Sequence, residues 1–184
     1  MIIMRSYQII SVCFLLLSSF TFANKSRGQS ADLLQQINFF STFEANQNLD
    51  KIRLYTYKPS QRTNHVIALL DNLSNLRDKC VVGYVTSNRL INKLNYYKKT
   101  AYAQEVINIK KMFKKLEYNL AVIDYYATFL IKNPTRNAKK YIGIMQKKMR
   151  ECQQIQKQLQ SKSGMIAEIR EWENKYSSTM GNLH

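Results

Sequence analysis

The stretch Tyr102–Leu130, YAQEVINIKKMFKKLEYNLAVIDYYATFL, decides the fold. Within it Tyr102, Val106, Ile109, Phe113, Leu116, Leu120, Ile123, Ala127 and Leu130 are spaced by alternating steps of four and three residues. A helix puts residues three and four apart on the same side, so this spacing draws one apolar stripe along four heptad repeats. A strand would need alternation every second residue, and the segment has none. The stripe predicts a long amphipathic helix from about 101 to 132, with Phe113, Leu116, Leu120 and Ile123 as the middle of its seam.

The same pattern extends to both sides. Upstream, Val66, Leu70, Leu73, Cys80, Tyr84, Ile91 and Leu94 suggest a helix from about 61 to 98, with Arg77 and Ser87 as polar gaps and a bend at Gly83. Downstream, Asn133-Pro134 stops the central helix, because proline disfavours helical backbone in the residue before it, and Thr135 offers a cap for the next. Ile142, Met145, Met149, Cys152, Ile155, Leu159, Ile166, Ile169 and Tyr176 then carry a helix from about 136 to 176, with a kink at Ser163-Gly164. Before Pro59, Leu33, Leu34, Ile37, Phe40 and Phe43 outline a first helix near 31 to 46, with Ser30 as its cap, and Leu49–Tyr57 reads as irregular or as a short helical turn.

The expected fold is all-α: long amphipathic helices forming an antiparallel three- to four-helix bundle or an elongated helical hairpin. The choice turns on Lys98-Lys99-Thr100. A tight turn there gives the bundle. A helix continuous from 61 to 132 gives a coiled-coil hairpin whose stripe needs a partner.

The N-terminus has another character. Arg5 is followed by a mostly apolar run, Ile9–Phe20, and then by Thr21-Phe22-Ala23, with small residues at the positions a signal peptidase reads. The run falls short of the roughly 20 residues a membrane-spanning helix needs. The expectation is a cleavable signal peptide over 1–23, with an uncleaved anchor as the alternative. A flexible leader over 24–30, one helical domain over 31–176 and a flexible tail over 177–184 follow. The bulk of the chain would be exported, whether periplasmic or secreted. Cleavage removes Cys13 and leaves Cys80 and Cys152, and an oxidising compartment allows a disulfide between them; two buried free thiols are the other possibility.

Charge narrows the function classes. The chain carries 28 Lys and Arg against 12 Asp and Glu, a net charge of +16. Residues 51–160 hold 22 of the bases and 6 of the acids, while residues 29–50 contain three acids and no base. The densest groups are Lys110, Lys111, Lys114 and Lys115, and Lys139, Lys140, Lys147 and Lys148, which together form a candidate anion-binding face. No catalytic, metal or nucleotide motif occurs: no CxxC or HExxH, no glycine-rich phosphate loop, no GxSxG elbow. His65 and His184 are the only histidines, and neither has a nucleophile at a recognised spacing. No cofactor is expected.

These observations point to an exported, non-enzymatic helical interaction or assembly protein, either an envelope or secretion-apparatus component or a secreted factor, with a protein partner or self-association. The alternative is a basic binder of anionic polymers or membrane surfaces, a holdase-type chaperone role included, without specific recognition of nucleic acid.

Overall fold

The computed structural model describes residues 28–134 and 137–181. Among them there are six helices and no strand: α1 (Gln29–Phe39), α2 (Phe43–Leu54), α3 (Pro59–Tyr96), α4 (Thr100–Lys132), α5 (Ala138–Gln160) and α6 (Ser163–Gly181). They combine into four rods: α1 with α2, α3 alone, α4 alone, and α5 with α6.

Neighbouring rods run antiparallel. Lys79 of α3 reaches the Phe39 carbonyl while His65, earlier in α3, stacks on Tyr55 beyond α2. Phe113 of α4 lies against Gly83 of α3, and Asp124, further along α4, pairs with the earlier Arg77. Tyr126 stacks on Tyr141, whereas Glu105 meets Lys162. The circle closes where Thr42 meets Gln156 and Ser30 meets Glu173. The result is an antiparallel four-rod bundle with short turns, the geometry expected when successive helices each bury one stripe. The signal-peptide expectation for 1–23 and the proposed Thr135 cap lie outside the described residues; α5 starts at Ala138, preceded by Asn137 with φ 52°.

The turn between α3 and α4 settles the central ambiguity. Lys98 takes a left-handed conformation, φ 56°. Its N–H bonds the Asn95 carbonyl at 3.0 Å, and the Lys99 N–H bonds the Leu94 carbonyl at 2.8 Å. That pair of bonds is a Schellman ending, which satisfies the last carbonyls of α3. The continuous helix does not form, and the stripes of α3 and α4 fold onto each other.

On α4 every residue of the expected stripe from Val106 to Leu130 is buried, and only Tyr102 is half-buried. On α3 the stripe differs by one step at three places. The buried side includes Val66, Leu69, Leu73, Leu76, Cys80, Gly83, Ser87, Leu90, Ile91 and Leu94, so Leu69 and Leu76 take the places expected for Leu70 and Arg77, Gly83 that of Tyr84, and Leu90 joins the expected Ile91. Gly83 is the reason. A Cβ there would lie 2.5–2.7 Å from three ring atoms of the fully buried Phe113. The glycine is a socket for that ring, and α3 runs through it without a break. Ser87 is buried as expected, its hydroxyl donating to the Gly83 carbonyl at 2.7 Å.

The outer rods are broken where the sequence suggests continuity. The first helix stops at Phe39, Phe40 plugs the core, and α2 starts at Phe43. The break turns Phe43 outward and gives Ala45, Leu49 and Ile52 the core positions, so Leu49–Leu54, expected to be irregular or a short helical turn, completes the helix α2. The last rod breaks at Ser161 and Lys162, just before the expected kink. The two breaks face each other: the Ser163 hydroxyl donates to Asn38 at 3.2 Å, and the Thr42 N–H and hydroxyl both donate to Gln156 Oε1 at 3.0 and 2.9 Å.

Neither cap residue, Gly28 or Thr42, bonds its own helix through a side chain, although the Ser41 hydroxyl accepts the Phe43 N–H at 3.3 Å. Side chains of the fourth rod cap both. Gln156 serves α2, and Glu173 serves α1 by accepting the Ser30 N–H at 2.9 Å together with the Ser30 hydroxyl. Ser30 therefore sits inside α1, one residue past its start, rather than as its cap. Gly28 leaves room for this carboxylate, since a Cβ there would stand 2.7 Å from Glu173 Oε2. At the other end of the bundle the fully buried Arg62 donates to the carbonyls of Thr56 and Pro134. Each carbonyl follows a helix C-terminus, where the helix dipole is negative.

Candidate functional site

The lysine groups singled out from the sequence lie on α4 and α5, which are neighbours. The helices meet through Tyr126 and Phe129 against Tyr141, at ring separations of 5.3 and 4.9 Å. Further along, Lys148 of α5 stands over the Tyr118 ring of α4 at 5.8 Å. The lysines flank this joint because the apolar stripes of both helices point the other way, into the core.

The structure divides the eight lysines. Lys111, Lys114, Lys115, Lys139, Lys140 and Lys147 are exposed. Lys110 turns aside to α3, its ammonium 2.8 Å from Asn88 Oδ1 and 4.8 Å above the Tyr84 ring. Lys148 pairs with Glu151 at 2.8 Å. The hydrogen bond to Glu151 raises the Lys148 pKa, and the same bond lowers that of the Glu151 carboxyl. Lys139 and Lys140 lie about two helical turns from Lys147, towards the α4–α5 turn.

Two exposed bases join the face that the sequence reading passed over, Arg150 and Lys157. The signal was present: Lys140 and Lys147 are seven apart, as are Arg150 and Lys157, and both pairs follow the outer side of α5. Tyr118 and Tyr125, 61% and 65% exposed, provide aromatic surface among the bases of α4.

Together α4 and α5 hold eleven bases and four acids. All four acids are occupied. Arg77 of α3 takes Glu117 at 3.0 Å and Asp124 at 2.8 Å, Lys162 takes Glu105 at 2.9 Å, and Lys148 takes Glu151. The other side of the bundle differs, for α1 and α2 together carry three acids and two bases.

Elsewhere the reactive side chains are engaged in packing. His65 lies flat against Tyr55, ring centroids 5.6 Å apart and planes 6° from parallel. Cys80 on α3 and Cys152 on α5 stand as free buried thiols, close enough that charge on Cys152 would raise the pKa of Cys80. Burial pushes both thiols up, Cys152 to about 12. Asn119 of α4 is buried beside Cys152 and Glu151. Among the described residues no group of three His, Cys, Asp or Glu is placed to hold a metal, and no helix is long and apolar enough to cross a membrane. Two surface hollows measure about 300 Å³ beside Phe43, Asn72 and Lys79 and about 320 Å³ beside Tyr57, Pro134 and Lys139.

Fold and face together define an all-α antiparallel bundle with one strongly basic side. Comparison with known proteins adds nothing to that class: no family model matches the chain, and no curated protein or solved structure is significantly similar to it.

Proposed function

We propose that this is an exported, non-enzymatic binding protein whose α4–α5 face holds an anionic polymer or an acidic surface. One observation carries the reading: eleven bases share that pair of helices with four acids, and every one of those acids is already engaged in an ion pair. Structural ion pairing alone would leave no such excess. The surplus faces solvent on two adjacent helices, where it attracts polyanions by charge and releases their counterions on contact. The signal-peptide pattern of residues 1–23 supports export.

Retention on heparin at several salt concentrations tests this. The protein should bind at low salt and elute steeply as salt rises. Changing Lys111, Lys114 and Lys115 to Gln should flatten the salt dependence by roughly one unit of log–log slope per lysine in contact. A protein that passes straight through heparin at low salt would remove the proposal.

A second reading, assembly with a protein partner, rests on a different place. The seam of Phe113, Leu116, Leu120 and Ile123 is covered inside the bundle and offers no docking surface. Val81, Val82 and Val85 remain 54%, 47% and 40% exposed on the outer side of α3. Light scattering before and after changing Val82 to Lys measures whether that patch makes the protein self-associate; an unchanged monomer in both cases would count against self-assembly there.

A further inference from the structure

One end of the bundle gathers aromatic rings that the α4–α5 face does not use. Tyr96 and Tyr97 finish α3, Lys98 and Lys99 form the turn to α4, and Trp172 and Tyr176 approach from α6. The Tyr97 ring lies 4.9 Å from Tyr96, 4.7 Å from Tyr176 and 5.5 Å from Trp172. The Lys99 ammonium sits 5.9 Å from the Trp172 ring centre. These separations are too close for a cage enclosing a cationic ligand, and the rings touch one another instead. Yet the group is not buried: Tyr96 is 80% exposed and Tyr176 42%. Amphipathic rings with lysines around them are the composition that settles at the boundary between lipid headgroups and acyl chains.

Where the chain enters the bundle says what covers this end. Gly28 lies against Glu173, one residue from Trp172, and Glu173 pairs with Lys93 at 2.7 Å just before the α3–α4 turn. The described chain therefore enters the bundle at the aromatic end. The apolar run Ile9–Phe20 is joined to Gly28 by seven residues, a covalent reach of about 25 Å. The opposite end also exposes Leu54 and Tyr57, but Gly28 does not lie there.

We infer that the Tyr96–Tyr97–Trp172–Tyr176 end is a lipid-interface surface, which stands the bundle upright on an anionic bilayer and turns the α4–α5 face sideways. The inference does not rest on the lysines of that face.

Trp172 is the only tryptophan in the chain, so the protein carries its own probe. The purified protein is titrated with vesicles of mixed phosphatidylcholine and phosphatidylglycerol, with and without lipids bearing a quencher near the headgroup. The expected result is a blue shift of the emission and its loss with the quencher lipid. Tyr96→Ser with Lys99→Gln, both at exposed positions, should weaken partition by about tenfold, while the triple Lys111, Lys114 and Lys115 to Gln variant should keep the blue shift. Vesicles bound with the Trp172 emission unchanged would overturn the inference and show docking through another side. Retention on heparin with no vesicle binding would overturn it too, and would leave the α4–α5 proposal standing. Partition of the Tyr96 and Lys99 variant equal to that of the parent protein is the third result that would reject it.

Discussion

Between α3 and α4 the joint is almost wholly apolar. Phe113 enters the socket at Gly83, with Val106, Ile109, Leu116 and Ile123 buried along the same stripe, and the Arg77 pairs lie outside at the margin. The joint between the first rod and the fourth has other means. There the contacts that fix register are polar and local: Ser30 with Glu173, Asn38 with Ser163, Thr42 with Gln156. Helices of 33 and 38 residues bury enough side chains to align themselves. The 11- and 12-residue helices of the first rod are near the length at which an isolated helix is marginal, and their N-termini need partners from outside. Long helices are located by volume, short ones by hydrogen bonds.

If that contrast is right, the largest effect of a single change should fall on the polar side. Glu173 is 2% exposed and holds Ser30 and Lys93. Glu173→Gln keeps the shape but replaces an acceptor by a group that can also donate, and strips Lys93 of its counter-charge. The expected loss is about 3 kcal/mol, read from urea unfolding. Hydrogen exchange should show the N–H groups of α1 losing protection before those of α3 and α4. A loss under about 1 kcal/mol, or equal exchange in all helices, would mean that packing alone holds the first rod.

The apolar side is tested at its glycines. Gly83→Ala gains helix propensity of about 1 kcal/mol but drives a Cβ into the Phe113 ring, and the overpacking should win, for a net loss of about 2 kcal/mol. Adding Phe113→Leu should recover part of it. Gly143→Ala on α5 meets nothing within 4 Å and should instead stabilise by about 0.8 kcal/mol. One substitution with opposite signs at two helical glycines measures the socket directly in thermal or urea melts. Equal signs would remove it.

These sites also mark what could be read beforehand. The α4 stripe was legible because nine apolar residues repeat a helical interval without a rival phase. On α3 two phases competed, since Leu69 and Leu70 are both apolar and Gly83 carries no hydropathy at all; a glycine that accommodates a ring 30 residues away resembles a helix breaker in the sequence. The broken outer rods were hidden for a related reason. Ser30 and Glu173 are 143 residues apart, and no local pattern announces that one caps the other's helix. The lysines of the candidate face were visible one helix at a time, but their union depends on α4 and α5 being neighbours, and the removal of their acids depends on Arg77 and Lys162 reaching across from other segments.

A smaller effect is expected at the turn that decides the topology. Lys98 holds a left-handed backbone that costs an ordinary residue about 1 kcal/mol and glycine nothing. Lys98→Gly relieves that cost while loosening the unfolded chain, and a net gain of about 0.5 kcal/mol should appear as a small rise in melting temperature. Destabilisation would show that the Lys98 side chain contributes more than its backbone costs.

The smallest effect separates folding from binding on the basic face. The Glu151 pKa is lowered by its bond to Lys148, so the pair stabilises the fold above the unfolded carboxyl value of about 4.3 and loses that contribution as pH falls through the depressed folded value. The Lys148 pKa is raised, so its share is present below the unfolded lysine value of about 10.4 and disappears as pH rises through the folded one. Between those limits Glu151→Gln should cost about 0.3–0.5 kcal/mol, as for other pairs three residues apart on a helix, and the difference from the parent protein should vanish in acid. The same change removes the one acid of α5 and frees Lys148, so retention on heparin should move to higher salt while stability falls. A variant that loses both stability and retention would show that Lys148 needs Glu151 to hold it over Tyr118, and that the face works by placed side chains rather than by surplus charge.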